Sequence, residues 1–246
     1  MDQIVQLEGL TKMFRNGRGI HDISLNVQTG DIYGFFGPNG AGKTTVMKIM
    51  AGLSRADKGK VRLFGHDVVT HYEQAMASVG VLIETAEAYH YMSGRRNLEL
   101  AARMYPHVDS NRVDEVLELV GLRSYQHEKV GHYSLGMKQR LGLASAIVAR
   151  PELLILDEPT NGLDIEGMVQ IREIIMQLAR EEKITFFISS HLIHEMELMC
   201  NRIAILYGGK LITEGYKSEL LQGRFSSLEE LFLHEVSQER KAAAHA

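Results

Sequence analysis

Short apolar runs alternate with amphipathic stretches along this chain, a pattern that predicts an α/β protein with a mostly parallel sheet. Strands are predicted at 5–8, 23–27, 32–36, 60–64, 79–83, 153–156, 185–189, 202–207 and 210–214. The first three follow one another over short links, so part of the sheet is expected to be antiparallel. Gly208-Gly209, between the last two, is a two-residue hairpin signal. Helical periodicity is clearest after Lys43 and across 95–104, 111–120, 135–149, 165–181 and 191–200. The stretch from about 85 to 145 lacks strand patterns and reads as a helical subdomain inserted between the strands at 79–83 and 153–156. Leu228, Leu231, Phe232 and Val236 fall at helical spacing and are expected to pack on the core, with dimerisation as the other option. Residues 1–222 therefore read as one two-lobed domain and 223–246 as a helical extension, whose last residues, KAAAHA, are expected to fray.

Composition narrows the classes. The chain has 246 residues, 45% of them apolar and 24% charged, the balance of a folded globular protein. A net charge of -4 argues against nucleic acid as a partner, because a phosphate backbone demands a basic face. Cys200, the single cysteine, cannot form an internal disulfide, which fits a reducing, cytoplasmic setting. No run approaches the roughly 20 apolar residues that span a bilayer. The opening MDQIVQLEGL lacks a basic segment followed by an apolar one, so no secretion signal is expected. Any membrane association is expected to be peripheral, on the inner face, through a partner.

The strongest local signal is Gly37-Pro38-Asn39-Gly40-Ala41-Gly42-Lys43-Thr44-Thr45, which directly follows the apolar run 32–36. Glycines let backbone N–H groups approach an anion without a Cβ in the way, and the positive end of the following helix reinforces that nest. Lys43 adds a point charge toward the β- and γ-phosphates, and the Thr44 hydroxyl suits Mg²⁺. A glycine-rich turn that merely contains a lysine is the plain alternative, but the strand before and the helix after supply the required context.

A second signal is LLILDEP. An apolar strand there delivers Asp157 and Glu158 to a sheet edge, where Asp157 is expected to hold Mg²⁺ and Glu158 to act as general base toward the attacking water. Ser190-His191 closes another apolar strand, and the His191 imidazole is expected to reach the γ-phosphate. His194 reads as an ordinary surface residue. Ser134 stands where a helix N-cap belongs, ahead of the periodic run 135–149. Alone, that segment reads as a capped helix. It sits in the helical lobe, too far along the chain to meet the nucleotide held by Lys43 in the same subunit.

Taken together and in order, these segments resemble an ATP-binding-cassette (ABC) ATPase. GPNGAGKTT is similar to the Walker A motif, LLILDEP to Walker B, YSLGMKQR to the signature LSGGQQQR, Asn161-Gly162-Leu163-Asp164 to the D-loop, and His191 to the switch histidine. The resemblance covers residues from about 3 to 220. It implies a P-loop ABC-ATPase fold, with a mixed, mostly parallel core sheet, an antiparallel β region and the inserted helical subdomain. It also implies a head-to-tail dimer binding ATP and Mg²⁺ between subunits. Ser134 and Gly136 would then contact the γ-phosphate bound by the other subunit, Asp164 would couple the two sites, and Phe14 would stack on adenine.

Three departures from the family pattern stand out. Tyr133, Leu135 and Met137 replace the usual Leu, Gly and Gln of the signature, and Asn161-Gly162 opens the D-loop. Glu84 stands where a glutamine usually reaches Mg²⁺ and the attacking water; a carboxylate there binds metal more strongly but repels the γ-phosphate. Glu84 in VGVLIE, with YSLGMKQRLGLA, resembles the bacitracin and lantibiotic resistance and immunity branch. The implied function is an ATPase subunit that couples hydrolysis to a separate integral membrane permease exporting antimicrobial peptides, with the permease contacting the lobe near Tyr89-His90-Tyr91. The alternatives are an ABC ATPase for an unrelated substrate, a soluble ABC ATPase acting on nucleic acid or the ribosome, and an ordinary P-loop kinase.

Overall fold

The computed structural model describes residues 2–84 and 88–244. Its elements run β1 (Gln3–Met13), β2 (Gly19–Gln28), β3 (Ile32–Phe36), α1 (Lys43–Met50), β4 (Lys58–Leu63), β5 (His66–Asp67), α2 (Tyr72–Met76) and β6 (Val79–Leu82). They continue through α3 (Gly94–Ala102), α4 (Ser110–Leu119), α5 (Leu135–Ile147), β7 (Leu153–Asp157), α6 (Ile165–Glu181), β8 (Thr185–Ser190), α7 (Ile193–Met199), β9 (Arg202–Tyr207), β10 (Lys210–Tyr216), α8 (Lys217–Leu221) and α9 (Leu228–Ala244).

The strands form two sheets, the expected mixed, mostly parallel core sheet and the expected antiparallel region. A six-stranded sheet has the order β10-β9-β3-β8-β7-β6, parallel except for the β9–β10 hairpin. A separate antiparallel sheet has the order β2-β1-β4-β5. The two-residue β5 went unforeseen because two residues carry no periodicity. Every residue of β3, β7 and β8 is buried, as expected of parallel strands covered on both faces.

Alternation along these strands sorts their side chains between two cores. Tyr33, Phe35, Leu153, Ile155 and Phe187 face α1 and the antiparallel sheet, where they meet Val46, Met47 and Met50. Phe187 stacks on Tyr33 at 5.4 Å between ring centroids and lies 5.3 Å from Phe35. Ile32, Phe36, Leu154, Leu156, Phe186 and Ile188 face the other way, onto α5, α6, α7 and α9. Burying each of these aromatic or branched side chains contributes about 1.5–3 kcal/mol. Gly34 on this second face lets α7 come close, since a Cβ there would lie 2.8 Å from Cys200 Sγ.

Helices α3, α4 and α5 lie between β6 and β7 in the chain and build the helical lobe. Among its described residues the lobe contains no strand, only the bridge Ser93–Lys129. Residues 85–87 of the expected lobe lie outside the described residues. Side-chain caps start three of the long helices here and in the core: Asp109 accepts from Arg112 N–H, Ser134 from Met137 N–H and Asp164 from Gly167 N–H. The C-terminal segment packs on the core, with Leu228 and Leu231 buried and Phe232 meeting Phe36 edge-on at 5.0 Å. Helix α9 continues through Ala244, which suits the helix preference of an alanine-rich end; residues 245–246 lie outside the described residues. Among the described residues, no helix is long and apolar enough to cross a membrane.

Candidate ATP-hydrolysing site

The parallel register brings three motifs to one edge of the six-stranded sheet. Phe36 pairs with Ser190 across β3 and β8, and Asp157 pairs with Ser189 across β8 and β7. The phosphate loop leaves β3 at this edge, and its Gly37 N–H donates to Ser190 O at 3.3 Å. Gly42 takes φ 109° at the start of α1, a conformation closed to most residues, with a Cβ there 2.4 Å from Ile20. The first N–H groups of α1, from Lys43 to Thr45, have no intrahelical acceptor and carry the helix's positive end, so they suit phosphate.

Lys43 is buried, and its ammonium donates to Gly37 O at 2.7 Å and to Pro38 O at 3.3 Å. It also lies 3.1 Å from Glu158 Oε1. Glu158 turns left-handed at φ 50°. Its N–H is shared between Ser189 O at 3.2 Å and Ser189 Oγ at 3.0 Å. Its second oxygen, Oε2, accepts from His191 Nδ1 at 2.8 Å and from His191 N–H at 3.3 Å. Such a turn in a non-glycine residue costs about 1–3 kcal/mol and persists only where its surroundings over-determine it. Here a strand, a serine, a lysine and a histidine all do so.

Asp157 is buried, and its Oδ1 accepts from Ser189 Oγ at 2.5 Å. Sequence reading passed over Ser189, which ties both acids together. Only the pairing of β7 with β8 reveals that role, and no local motif announces it. Glu84 stands two residues beyond β6, in the left-handed region at φ 66°. Its carboxylate is largely exposed and pairs with Lys48 Nζ at 2.5 Å, a partner the sequence did not suggest. Phe14 lies half-exposed in the turn between β1 and β2, with Lys12 Nζ 5.6 Å from its ring centroid. The strand that follows the turn places Ile20 against Gly42.

Ser134 and Gly136 are not among this group. They border a separate groove of about 500 Å³, together with Leu135, Gly162 and Asp164. The three unusual signature residues divide in two. Tyr133 is buried, donates its hydroxyl to Tyr125 O at 2.8 Å and fits under Gly94, while Met137 packs on the helical core. Leu135 alone lies on the open face, 52% exposed and against Gly162.

Buried cation, phosphate nest, buried acid and hydrogen-bonded Glu–His pair together can grip a triphosphate and take a proton from water beside it. Comparisons with known proteins agree. The family profile described as "ABC transporter" matches residues 20–161. An uncharacterized ABC transporter ATP-binding protein, YhcH, of Bacillus subtilis is 47% identical over 212 residues, covering 86% of this chain and 70% of its own. The bacitracin transport ATP-binding protein BcrA of Bacillus licheniformis is 42% identical over 214 residues, covering 87% and 70%. The lantibiotic transport ATP-binding protein SrtF of Streptococcus pyogenes is 34% identical over 238 residues, covering 97% and 100%. A solved ATP-binding subunit of an ABC transporter superposes with a TM-score of 0.83 at 25% identity, over 95% of this chain and 99% of that one. The chain belongs to the ABC transporter family, as one of its ATP-binding, ATP-hydrolysing subunits.

Proposed function

We propose that two copies of this chain, or this chain and a similar one, close head to tail around two ATP molecules and drive a separate membrane permease that exports antimicrobial peptides. The observation that carries this reading is the separation of the nucleotide motifs into two clusters. Lys43, Asp157, Glu158 and His191 stand at the sheet edge, while Ser134, Gly136 and Asp164 face a groove that no phosphate-loop residue lines. A second subunit can bring the two together.

Within each site Phe14 stacks on adenine and residues 37–45 hold the phosphates. Glu158 takes the proton of the attacking water, and His191 fixes the carboxylate while reaching the γ-phosphate. Asp157, Thr44 and Glu84 are the residues that would hold Mg²⁺. Their oxygens suit that hard cation, and Asp157 is a buried carboxylate with a hydroxyl rather than a cation against it. Among the described residues no cluster of three or more His, Cys, Asp or Glu could cage a metal. Bound by Asp157, Thr44 and Glu84, Mg²⁺ would neutralise β- and γ-phosphate charge.

Residues 1–222 form the cassette in this reading, with 223–246 as its helical extension. For the permease, a groove of about 560 Å³ lies between the sheet edge and the helical lobe, lined by Val81, Ile83, Tyr89, Leu100 and Met104 among others. Leu100, Met104, Tyr89 and Tyr91 are all exposed, and such a surface suits an amphipathic cytoplasmic helix of a membrane protein. Names such as bacitracin transport and lantibiotic transport among the relatives support the peptide substrate.

The test is capture from membranes. Leu100→Glu with Met104→Glu should abolish co-purification of a polytopic membrane protein while ATP binding stays intact. Retention of that partner by the double variant would move the docking surface elsewhere, and ribosomes or DNA in its place would overturn the transport reading.

A further inference from the structure

Glu84 stands off from the Lys43–Glu158–His191 cluster in the company of Lys48, and that pairing has a consequence for the reaction. Lys48 lies on α1 four residues after Thr44, so the two side chains occupy one face of the helix, a turn apart. Lys48 Nζ is 2.5 Å from Glu84 Oε1, with the lysine about one-third exposed and the glutamate 63% exposed. The Glu84 backbone is left-handed, at φ 66°. Immediately before it, Ile83 lines the groove between sheet edge and helical lobe. One salt bridge thus ties the phosphate-loop helix to the segment leading to the proposed permease surface.

We infer that Lys48 is a positioning residue: it holds the Glu84 carboxylate one helical turn from Thr44, in competition with the metal of the ATP site. This rests on the proposed placement of Glu84 beside Mg²⁺. It also answers the objection that a carboxylate in that place repels the γ-phosphate. Lys48 is the partner of Glu84 in this structure; if a divalent cation were bound beside Thr44, it would compete with the lysine for that carboxylate, two charges against one. An exposed pair in water is weak, so this exchange of partners is easily reversible.

The experiment titrates Mg²⁺ against binding of a fluorescent ATP analogue to the purified chain, reading the metal concentration at half-saturation without any turnover. Lys48→Met should lower that concentration about two- to fivefold, the range expected for losing one exposed ion pair. Lys48→Arg, which keeps the cation, should retain the parental value. The same Lys48→Met change in a Glu84→Gln background should have no effect, and thermal melting checks that each variant is folded. An equal shift in both backgrounds, or no shift in either, overturns the role of Lys48. If Glu84→Gln by itself leaves the Mg²⁺ requirement unchanged, the placement of Glu84 beside the metal fails first and the inference fails with it.

Discussion

The carboxylate of Glu158 lies 3.1 Å from the ammonium of Lys43. One side chain is the proposed base and the other the phosphate grip, so the pair sets two properties at once. Its acid lies against a buried cation, and that same cation fixes where the acid's Oε1 points.

Replacing Glu158 by glutamine therefore separates hydrolysis from binding. Turnover should fall about 10²- to 10⁴-fold, the range for losing a positioned general base. ATP affinity should stay equal or rise, because Lys43 loses a competing carboxylate and the γ-phosphate loses a like-charged neighbour. Steady-state hydrolysis and size-exclusion with ATP read both effects, with an ATP-bound dimer accumulating. Hydrolysis at the parental rate would refute the assignment.

Ser189 ties the two acids together; Ser189→Ala removes the hydroxyl on the buried Asp157 carboxylate and leaves the Glu158 N–H only the Ser189 carbonyl. Stability should drop about 1–3 kcal/mol in urea denaturation. The Mg²⁺ requirement should rise about 10- to 100-fold, as for other groups that orient metal ligands. Ser189→Thr, which keeps a hydroxyl, should restore most of both. An unchanged Mg²⁺ requirement in the alanine variant would mean that the serine only fills space.

Burial pushes the Cys200 thiol up from its ordinary value near 9 to about 12. Between those values the unfolded chain has lost its thiol proton and the folded chain has kept it. Folding stability from this group is complete below about pH 9 and is lost as pH rises toward 12. Tyr33, raised by burial and then by Glu214, acts in the same direction at still higher pH. Cys200→Ala should flatten the first part of the alkaline decline in melting temperature. Thiol reagents should label the parental chain only as it unfolds. Fast labelling of the folded protein at neutral pH would contradict this burial.

The fold was legible where the physics is local. Strands 32–36 and 202–207 and helix 165–181 were placed at their observed ends, because apolar runs and helical periodicity mark them within the sequence itself; the Asp164 cap of that helix is seen only in the structure. The phosphate loop, both acids and His191 were legible because each closes or follows such a strand. What escaped depends on pairing between distant segments. The strand order within each sheet, Ser189 beneath both acids and Lys48 on Glu84 all follow from register and packing, which no single window of sequence contains. The left-handed turn at Glu158 escaped for a related reason: nothing in LLILDEP signals it, and it is imposed by contacts with β8.

The central claim is that each ATP site is built from two chains. It is tested most directly by mixing two inactive variants, Lys43→Ala and Ser134→Arg. A mixed dimer pairs the intact phosphate loop of one chain with the intact signature of the other, giving one whole site. The account predicts that each variant alone is inactive and that the mixture regains ATP hydrolysis, rising with the product of the two concentrations. A mixture no more active than the sum of its parts would contradict it, and so would a Ser134→Arg chain that hydrolyses ATP alone.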